Sequence, residues 1–596
     1  EKTGGGSAKK SNEFVFSALA FHYLCPVMME KLRTRYRSLG PDGVVAFWLG
    51  LWWLLNLVQA GCTELANDEA YYHMFAERLS WGYFDHPPMT ALLVWLGERL
   101  FGVTELGVRF FFTLLQPLYL FLFWRLIRPE APSRRDATLY VMLSAATLML
   151  QLYGFIAVPD GPLMFTTALY LLFFKRFNEG SRGAWLWLGV AMAAMAYSKY
   201  HGALVVLFSL AVCPRMLLRP RFYLGCMVAL LLFVPHLLWQ YDNDWASFAY
   251  HLSGRNRAFR LSYVVEYLLN ILVVFNPLFV PLYIKSWRAV KPSDAVGRAL
   301  RWMPPMFIGF FLLTTLRGYV QPQWVIAATF GILYVTFLYA RRHPRTRRYL
   351  MRTGAVTLAL IALVRLEMLF NPLGLRFEVF DNGESYGRIA ELADGRPVIF
   401  RGSYARAAKY GFYTGGEAYG QPNVYYRTSQ WALRNDDDRF DGRSVLVECP
   451  ASLVGSDSVF RSVALPNGSR FNYYVEEEFH PVRRVDIATE GIPERALPGD
   501  TLRLALCLHN PYGRAVDIDG DLTRLVVALR EGRNAMEYAT PLRLRLEAGG
   551  EARVRYDFVL PDSLAGRRFD VGFSLRRGEQ AYWFNGKSHR MEVGAL

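Results

Sequence analysis

Two adjacent acids, Asp68 and Glu69, stand just past the apolar run VVAFWLGLWWLLNLVQAG, within NDEAYYHMFAERLSWGYFDHPPM at 67–89. Acids in that place either cap a helix and complement its dipole, or take a proton. Three other short connections between apolar runs carry unexpected groups. AVPDGPL sets Asp160 in a tight turn, SKYHG carries Lys199, Tyr200 and His201, and RGYVQPQW carries Arg317 and Tyr319. Cations are disfavoured in short outer loops, and ionisable residues near membrane depth are costly. Taken singly, each fits a side chain snorkelling to headgroups. Acids on two loops and cations on two others make a mixed-charge pocket. It suits group transfer from a phosphate ester: the acid removes a proton and the cations stabilise the departing phosphate. Soluble nucleotide donors are scarce outside a membrane, whereas a phosphate donor anchored by a lipid is not.

The elements that must hold these residues are membrane helices. Of 596 residues 53% are hydrophobic, and they come in blocks. A crossing takes about 20 apolar residues at about 1.5 Å rise each. Candidate spans are 44–61, 109–127, 138–156, 161–174, 184–197, 202–213, 222–240, 262–285, 304–316, 324–340 and 353–370, about eleven in all. The net charge of +16 invites either nucleic acid or an anionic surface, and its distribution chooses. Every second connection is basic, from EKLRTRYR before the first span to RRHPRTRRYLMR after the tenth, as cytoplasmic loops require. The charge therefore encodes topology and leaves a nucleic-acid partner unsupported. The amino end is expected in the cytoplasm, and the four charged stretches and everything after 370 outside. Residues from 67 are expected to form an interfacial helix with Tyr72, Phe75, Ala76 and Leu79 on one face, ending near Gly82.

The predicted organisation is a polytopic α-helical membrane protein with a soluble carboxy-terminal region. A cytoplasmic segment occupies 1–43, in which 1–12 resemble a linker or cloning remnant and FVFSALAFHYLCPV is too short for a clear span. The transmembrane domain covers 44–370. RPVIFRG, SYARAAKYGFY and GRSVLVECP read as strand, helix and strand, so 375–470 is a small α/β unit. From 480 to 596, alternating strands such as DTLRLALCLHN and TRLVVALREG indicate a β-sandwich. Neither tail module shows a catalytic constellation. Six cysteines include no CxxC and no Cys/His metal spacing, and a disulfide between Cys449 and Cys507 is open.

NDEAYY, YFDHPPM, GVRFF at 107–111, AVPDGPL and SKYHG resemble the GT-C glycosyltransferases that use a polyprenyl-phosphate sugar. The likeness is to families 39 and 83, the protein O-mannosyltransferases and lipid A aminoarabinose transferases, and covers about 44–340. It implies a GT-C fold and transfer, usually with inversion, on the non-cytoplasmic side of a bacterial inner membrane. The acceptor would be a hydroxyl or phosphate of lipid A, protein or glycan. It also implies roles. Asp68 would be the general base, Glu69 its support or a sugar ligand, and Asp160 a recurring acid for sugar hydroxyls or base orientation. His86 stands where the aminoarabinose transferases carry a lysine before two prolines, and is assigned to the donor phosphate. Lys199 matches a phosphate-binding lysine, Arg317 and Tyr319 a loop closing on the lipid phosphate, and Arg109 a group neutralising an acid or phosphate. Tyr71, Tyr72, Tyr200, His201, Trp245 and Arg255 are candidate substrate contacts. Asp242-Asn243-Asp244 spells a DxD pattern but falls outside, where a nucleotide donor is absent, so it reads as an acceptor-side or gating loop. No cofactor is required, and no metal ligands are assigned, although the acids leave room for divalent-metal assistance.

Two rivals remain on sequence. A transporter or flippase of lipid-linked glycans would favour broken helices and an internal repeat. A glycan polymerase or ligase would use the same donor chemistry on a longer chain.

Overall fold

The apolar runs fold as helices because in lipid every backbone N–H and C=O must be satisfied within its own segment. A computed structural model describes residues 34–254, 258–425, 428–532, 534–581 and 583–595. The run FVFSALAFHYLCPV, most of the amino-terminal segment, and Arg255 lie outside the described residues. The chain separates into two compact units. One comprises residues up to 60, 112–232 and 257–366; the other comprises 61–111, 233–256 and 367–596.

Among the described residues, five helices are long and apolar enough to cross a membrane: Pro41–Cys62, Glu105–Ile127, Pro220–Asp242, Ala295–Arg317 and Pro344–Phe370. Ala184–Ser198, Gly202–Val212 and Leu261–Val274 are shorter apolar helices. Two expected spans are interrupted. The run at 138–156 becomes Arg134–Ala145 and Leu148–Leu152, and the run at 262–285 becomes Leu261–Val274 and Val280–Ala289. Asn276, ahead of Pro277, takes a left-handed backbone at φ 69°, a conformation that asparagine tolerates, while the following proline disfavours continuing the right-handed helix through it. Its amide then donates to the carbonyl of Ala146 and to Thr357 Oγ1, each at 3.0 Å. One break thus satisfies the carbonyl freed by the other. Two of the about eleven expected spans are divided helices.

In the first unit a polar thread runs through the helices. Asn56 donates to Gln116 Oε1 at 2.6 Å and to the Gly154 carbonyl at 3.1 Å, and Gln116 donates to the Leu150 carbonyl at 2.5 Å. Arg365 closes it by donating to Asn56 at 2.7 Å and Gln151 at 3.0 Å. Gly154 has to be glycine here, since a Cβ would lie 2.1 Å from Gln116 Nε2. The basic connections are also structural anchors: Arg134 donates to the carbonyls of Tyr36, Arg37 and Leu39, and Arg341 pairs with Asp136 at 3.3 Å.

In the second unit the carboxy-terminal region forms two modules. Strands β1 (Val398–Arg401), β2 (Ala418–Gln421), β3 (Arg443–Glu448), β4 (Arg461–Ala464) and β5 (Arg470–Phe479) form a sheet of order β2-β1-β3-β5-β4. β1 runs parallel to both β2 and β3. The helix Arg406–Thr414 follows β1 and packs on the helix Asn67–Ala76. Beyond 480 the strands form a sandwich, with Leu504, Leu506 and Leu508 of Thr501–His509 facing Leu525, Val527 and Leu529 of Thr523–Glu531 across one core. Cys449 and Cys507 are both free thiols.

Candidate functional site

Within the second unit, the helix that starts at Asn67 ends at Ala76, earlier than its apolar pattern predicts. Leu79 lies beyond it and is exposed. The amino terminus of this helix decides how Asp68 is read. Ala66 is the cap residue, and its amide is taken by Glu69 Oε2 at 2.9 Å, so Glu69 closes the first turn. Asp68 is released from capping. Its Oδ1 instead accepts a hydrogen bond of 2.6 Å from the hydroxyl of Tyr404.

Glu69 and Arg109 are both 0% exposed and form a two-pronged pair: Nε to Oε1 at 2.7 Å and Nη2 to Oε2 at 2.6 Å. The guanidinium also donates to the carbonyls of Thr63 and Glu64. GVRFF and NDEAYY are therefore two halves of one buried brace. Arg109, expected to neutralise an aspartate or a phosphate, spends its charge on Glu69. Glu69, expected as support for Asp68 or a sugar ligand, has both oxygens taken by Arg109 and the Ala66 amide.

Tyr71 and Tyr72, expected as substrate contacts, are 1% and 3% exposed. Their rings pack on Phe75, and Tyr71 Oη accepts the amide of Gln430 at 2.6 Å, so packing uses the surface a substrate would need. His86 is half-buried, 5.5 Å from the Tyr72 ring and 6.3 Å from that of His251. Trp245 is exposed, and it follows Asp244 in two consecutive left-handed residues at φ 55° and 51°. Asp242 and Asp244 are exposed as well.

Sequence reasoning missed the tail's share of this neighbourhood. Asn67 donates to Glu378 at 2.6 Å, and Glu64 accepts the amides of Asn382 and Gly383 at 2.6 and 2.9 Å, which caps the helix Asn382–Ala393. Lys409, 2% exposed, donates to the Glu378 carbonyl at 2.9 Å and to Asn382 Oδ1 at 3.1 Å. Burial pushes the Glu378 carboxyl up, with Lys409 opposing and Asp68 adding to the rise. Burial also pulls Lys409 down to about 8 against the attraction of Glu378, Glu64 and Glu69. An unfolded lysine keeps its proton to about pH 10.4. Between those values the unfolded chain binds more protons, so stability rises with pH there and falls as pH drops through about 8. Relative to Lys409→Met, the wild-type protein is expected to gain about 2 kcal/mol between pH 8 and 9.5. Thermal melts of both proteins across that range measure the change in their difference.

Within the first unit, Asp160 opens the helix Asp160–Asn178 and Lys199 ends the helix Ala184–Ser198. The two turns meet: Lys199 Nζ donates to both Asp160 oxygens, at 2.8 and 2.9 Å, with the residues 2% and 6% exposed. Two of the three ammonium hydrogens are so committed. His201 packs between Phe311 and Trp324 at 5.2 Å from each ring, next to half-buried Tyr200. Arg317 and Tyr319 are exposed on either side of Gly318. No three His, Cys, Asp or Glu side chains among the described residues converge on a metal position.

The family model described as Dolichyl-phosphate-mannose-protein mannosyltransferase matches residues 85–239. A similar fold is that of ArnT from Cupriavidus metallidurans in the apo state, with a TM-score of 0.54 and 15% identity over 73% of this chain and 98% of that one. The chain has a GT-C-like fold. The same ArnT bound to undecaprenyl phosphate gives a TM-score of 0.52 at 14% identity, over 72% and 97% of the two chains. A curated relative from Aquifex aeolicus (strain VF5), itself described as an uncharacterized protein, is 25% identical over 251 residues. The chain spans 50% of that relative's length, and the match takes in 40% of this chain. With its long apolar helices and this likeness, the GT-C-like chain is a multi-pass membrane protein with a β-rich carboxy-terminal region.

Proposed function

We propose that the protein is a glycosyltransferase that takes a sugar from a polyprenyl-phosphate donor and passes it, with inversion, to an acceptor hydroxyl or phosphate. Asp68 takes the acceptor's proton, and the acceptor oxygen bonds the anomeric carbon. The bond from that carbon to the phosphate oxygen breaks, and polyprenyl phosphate leaves with the electron pair. Lys199, paired with Asp160, carries the leaving phosphate's charge, and His86, Arg317 and Tyr319 are the further candidates for the donor phosphate. The reaction takes place on the non-cytoplasmic face of a bacterial inner membrane, with the amino terminus cytoplasmic and the tail outside. Lipid, protein and glycan acceptors all fit this chemistry. The supporting observation is that Asp68 stands in the first turn of a helix without capping it, held by a hydroxyl rather than by an amide. The undecaprenyl phosphate held by ArnT supports a lipid-phosphate donor.

The test is purified full-length protein in lipid nanodiscs, given a panel of undecaprenyl-phosphate sugars and an envelope extract as acceptor. Free undecaprenyl phosphate appearing with a new glycoside supports the proposal. Absence of transfer, with passage of intact lipid across liposomes, favours a transporter instead. Lys199→Ala is expected to raise the donor KM about tenfold or more, the usual weight of a charge-assisted hydrogen bond. An unchanged donor KM removes Lys199 from the phosphate.

A further inference from the structure

Tyr404 lies in the turn GSYA between β1 and the helix Arg406–Thr414, at the carboxyl end of a strand paired in parallel on both sides. Loops at that end of parallel strands are where α/β sheets present ligand-facing groups. Here the loop delivers one phenol to the acid that follows the first membrane span, 336 residues away in sequence. The 2.6 Å separation from Tyr404 Oη to Asp68 Oδ1 is that of a hydroxyl donating to a carboxylate.

The tyrosine is itself well held. Trp431 Nε1 donates to its carbonyl at 2.9 Å, and its ring meets that of Tyr71 edge-on at 4.8 Å. Docking of the α/β module onto the first outer loop does not depend on this hydroxyl. Leu65 donates its amide to Tyr413 Oη at 2.7 Å, Asn67 bonds Glu378, Glu64 bonds Asn382, and Gln430 bridges Tyr71 and the Phe84 amide. Those contacts fasten the module, whereas the Tyr404 hydroxyl goes to Asp68.

We propose that Tyr404 is a positioning residue of the transfer reaction: it holds Oδ1 of Asp68, so that Oδ2 is the oxygen presented to the acceptor's hydroxyl. The tail thereby completes the catalytic constellation. A carboxylate fixed at one oxygen presents the other in a single orientation, which lowers the cost of reaching the reactive geometry. The inference rests on Asp68 being the general base.

In the nanodisc assay, Tyr404→Phe is expected to lower kcat about tenfold or more, the weight of a hydrogen bond to a charged group. The donor KM and the melting temperature are expected to stay as in the wild type. Tyr413→Phe, which removes a docking hydroxyl, is expected to leave the ratio of kcat to bound donor unchanged. On an Asp68→Asn background, Tyr404→Phe is expected to add no further loss to residual transfer. Wild-type kcat in Tyr404→Phe, or an equal loss on the Asp68→Asn background, overturns the positioning role while leaving Asp68 in place. Full activity of Asp68→Asn overturns the base assignment and this inference together.

Discussion

Asp68→Asn is expected to lower turnover by about 10²- to 10⁴-fold, the range for losing a positioned general base. The amide accepts a hydrogen bond from Tyr404 much as the carboxylate does, so local structure is expected to persist. Glu69, not Asp68, closes the helix start, and the substitution leaves that bond intact. Undecaprenyl phosphate binding is therefore expected within about twofold of wild type, read by native mass spectrometry in the same nanodiscs, with the difference carried by kcat. Were Asp68 a helix cap, the opposite pattern would appear: about 1 kcal/mol of stability lost and turnover retained. The two measurements separate chemistry from scaffold without reference to which sugar is moved.

The largest effect on stability is expected at Arg109. Arg109→Met leaves Glu69 fully buried and without its cation, a change that costs about 3–5 kcal/mol. A lower apparent melting temperature in detergent, with reduced yield of folded protein, is the expected reading. The double variant Glu69→Gln/Arg109→Met is expected to recover most of that loss, because no uncompensated charge remains and the amide still accepts from Ala66. Turnover in the double variant then reports how far Glu69 supports Asp68 beyond holding the helix start. If Arg109→Met alone leaves the melting temperature unchanged, the brace is not a determinant of the fold and Arg109 returns to consideration as a phosphate ligand.

Lys199 and Asp160 show what such a pair means on the other unit. Their turns are 39 residues apart, and each carries a residue type that the membrane disfavours. Charge against the local rule marked both residues in the sequence, and the structure pairs them. Arg109, which the resemblance gave as neutralising an aspartate or a phosphate, pairs with Glu69 instead, and a buried brace and a binding cation look alike in a sequence. Tyr71 and Tyr72 were misread in a related way. Tyrosines beside an acid suggest a substrate platform, but aromatic rings also carry large buried area, and here packing claims them.

The sequence by itself determined what one segment can decide alone: which runs are apolar enough to enter lipid, which connections carry the basic excess, and where charge stands against the rule. It also determined the alternation that makes 480–596 a sandwich. Local periodicity and composition carry that information, because the bilayer and the pleat impose it residue by residue. Tertiary structure alone gives the helix start to Glu69 and the Tyr404 hydroxyl to Asp68. It alone broke two spans at Asn276 and Ala146, joined 61–111 and 233–256 to the tail in one unit, and brought Glu378, Tyr404 and Lys409 to Asn67 and Asp68. Those partners lie hundreds of positions apart, and no period or motif links them; a hydrogen bond is fixed by distance in space, which the order of residues does not encode.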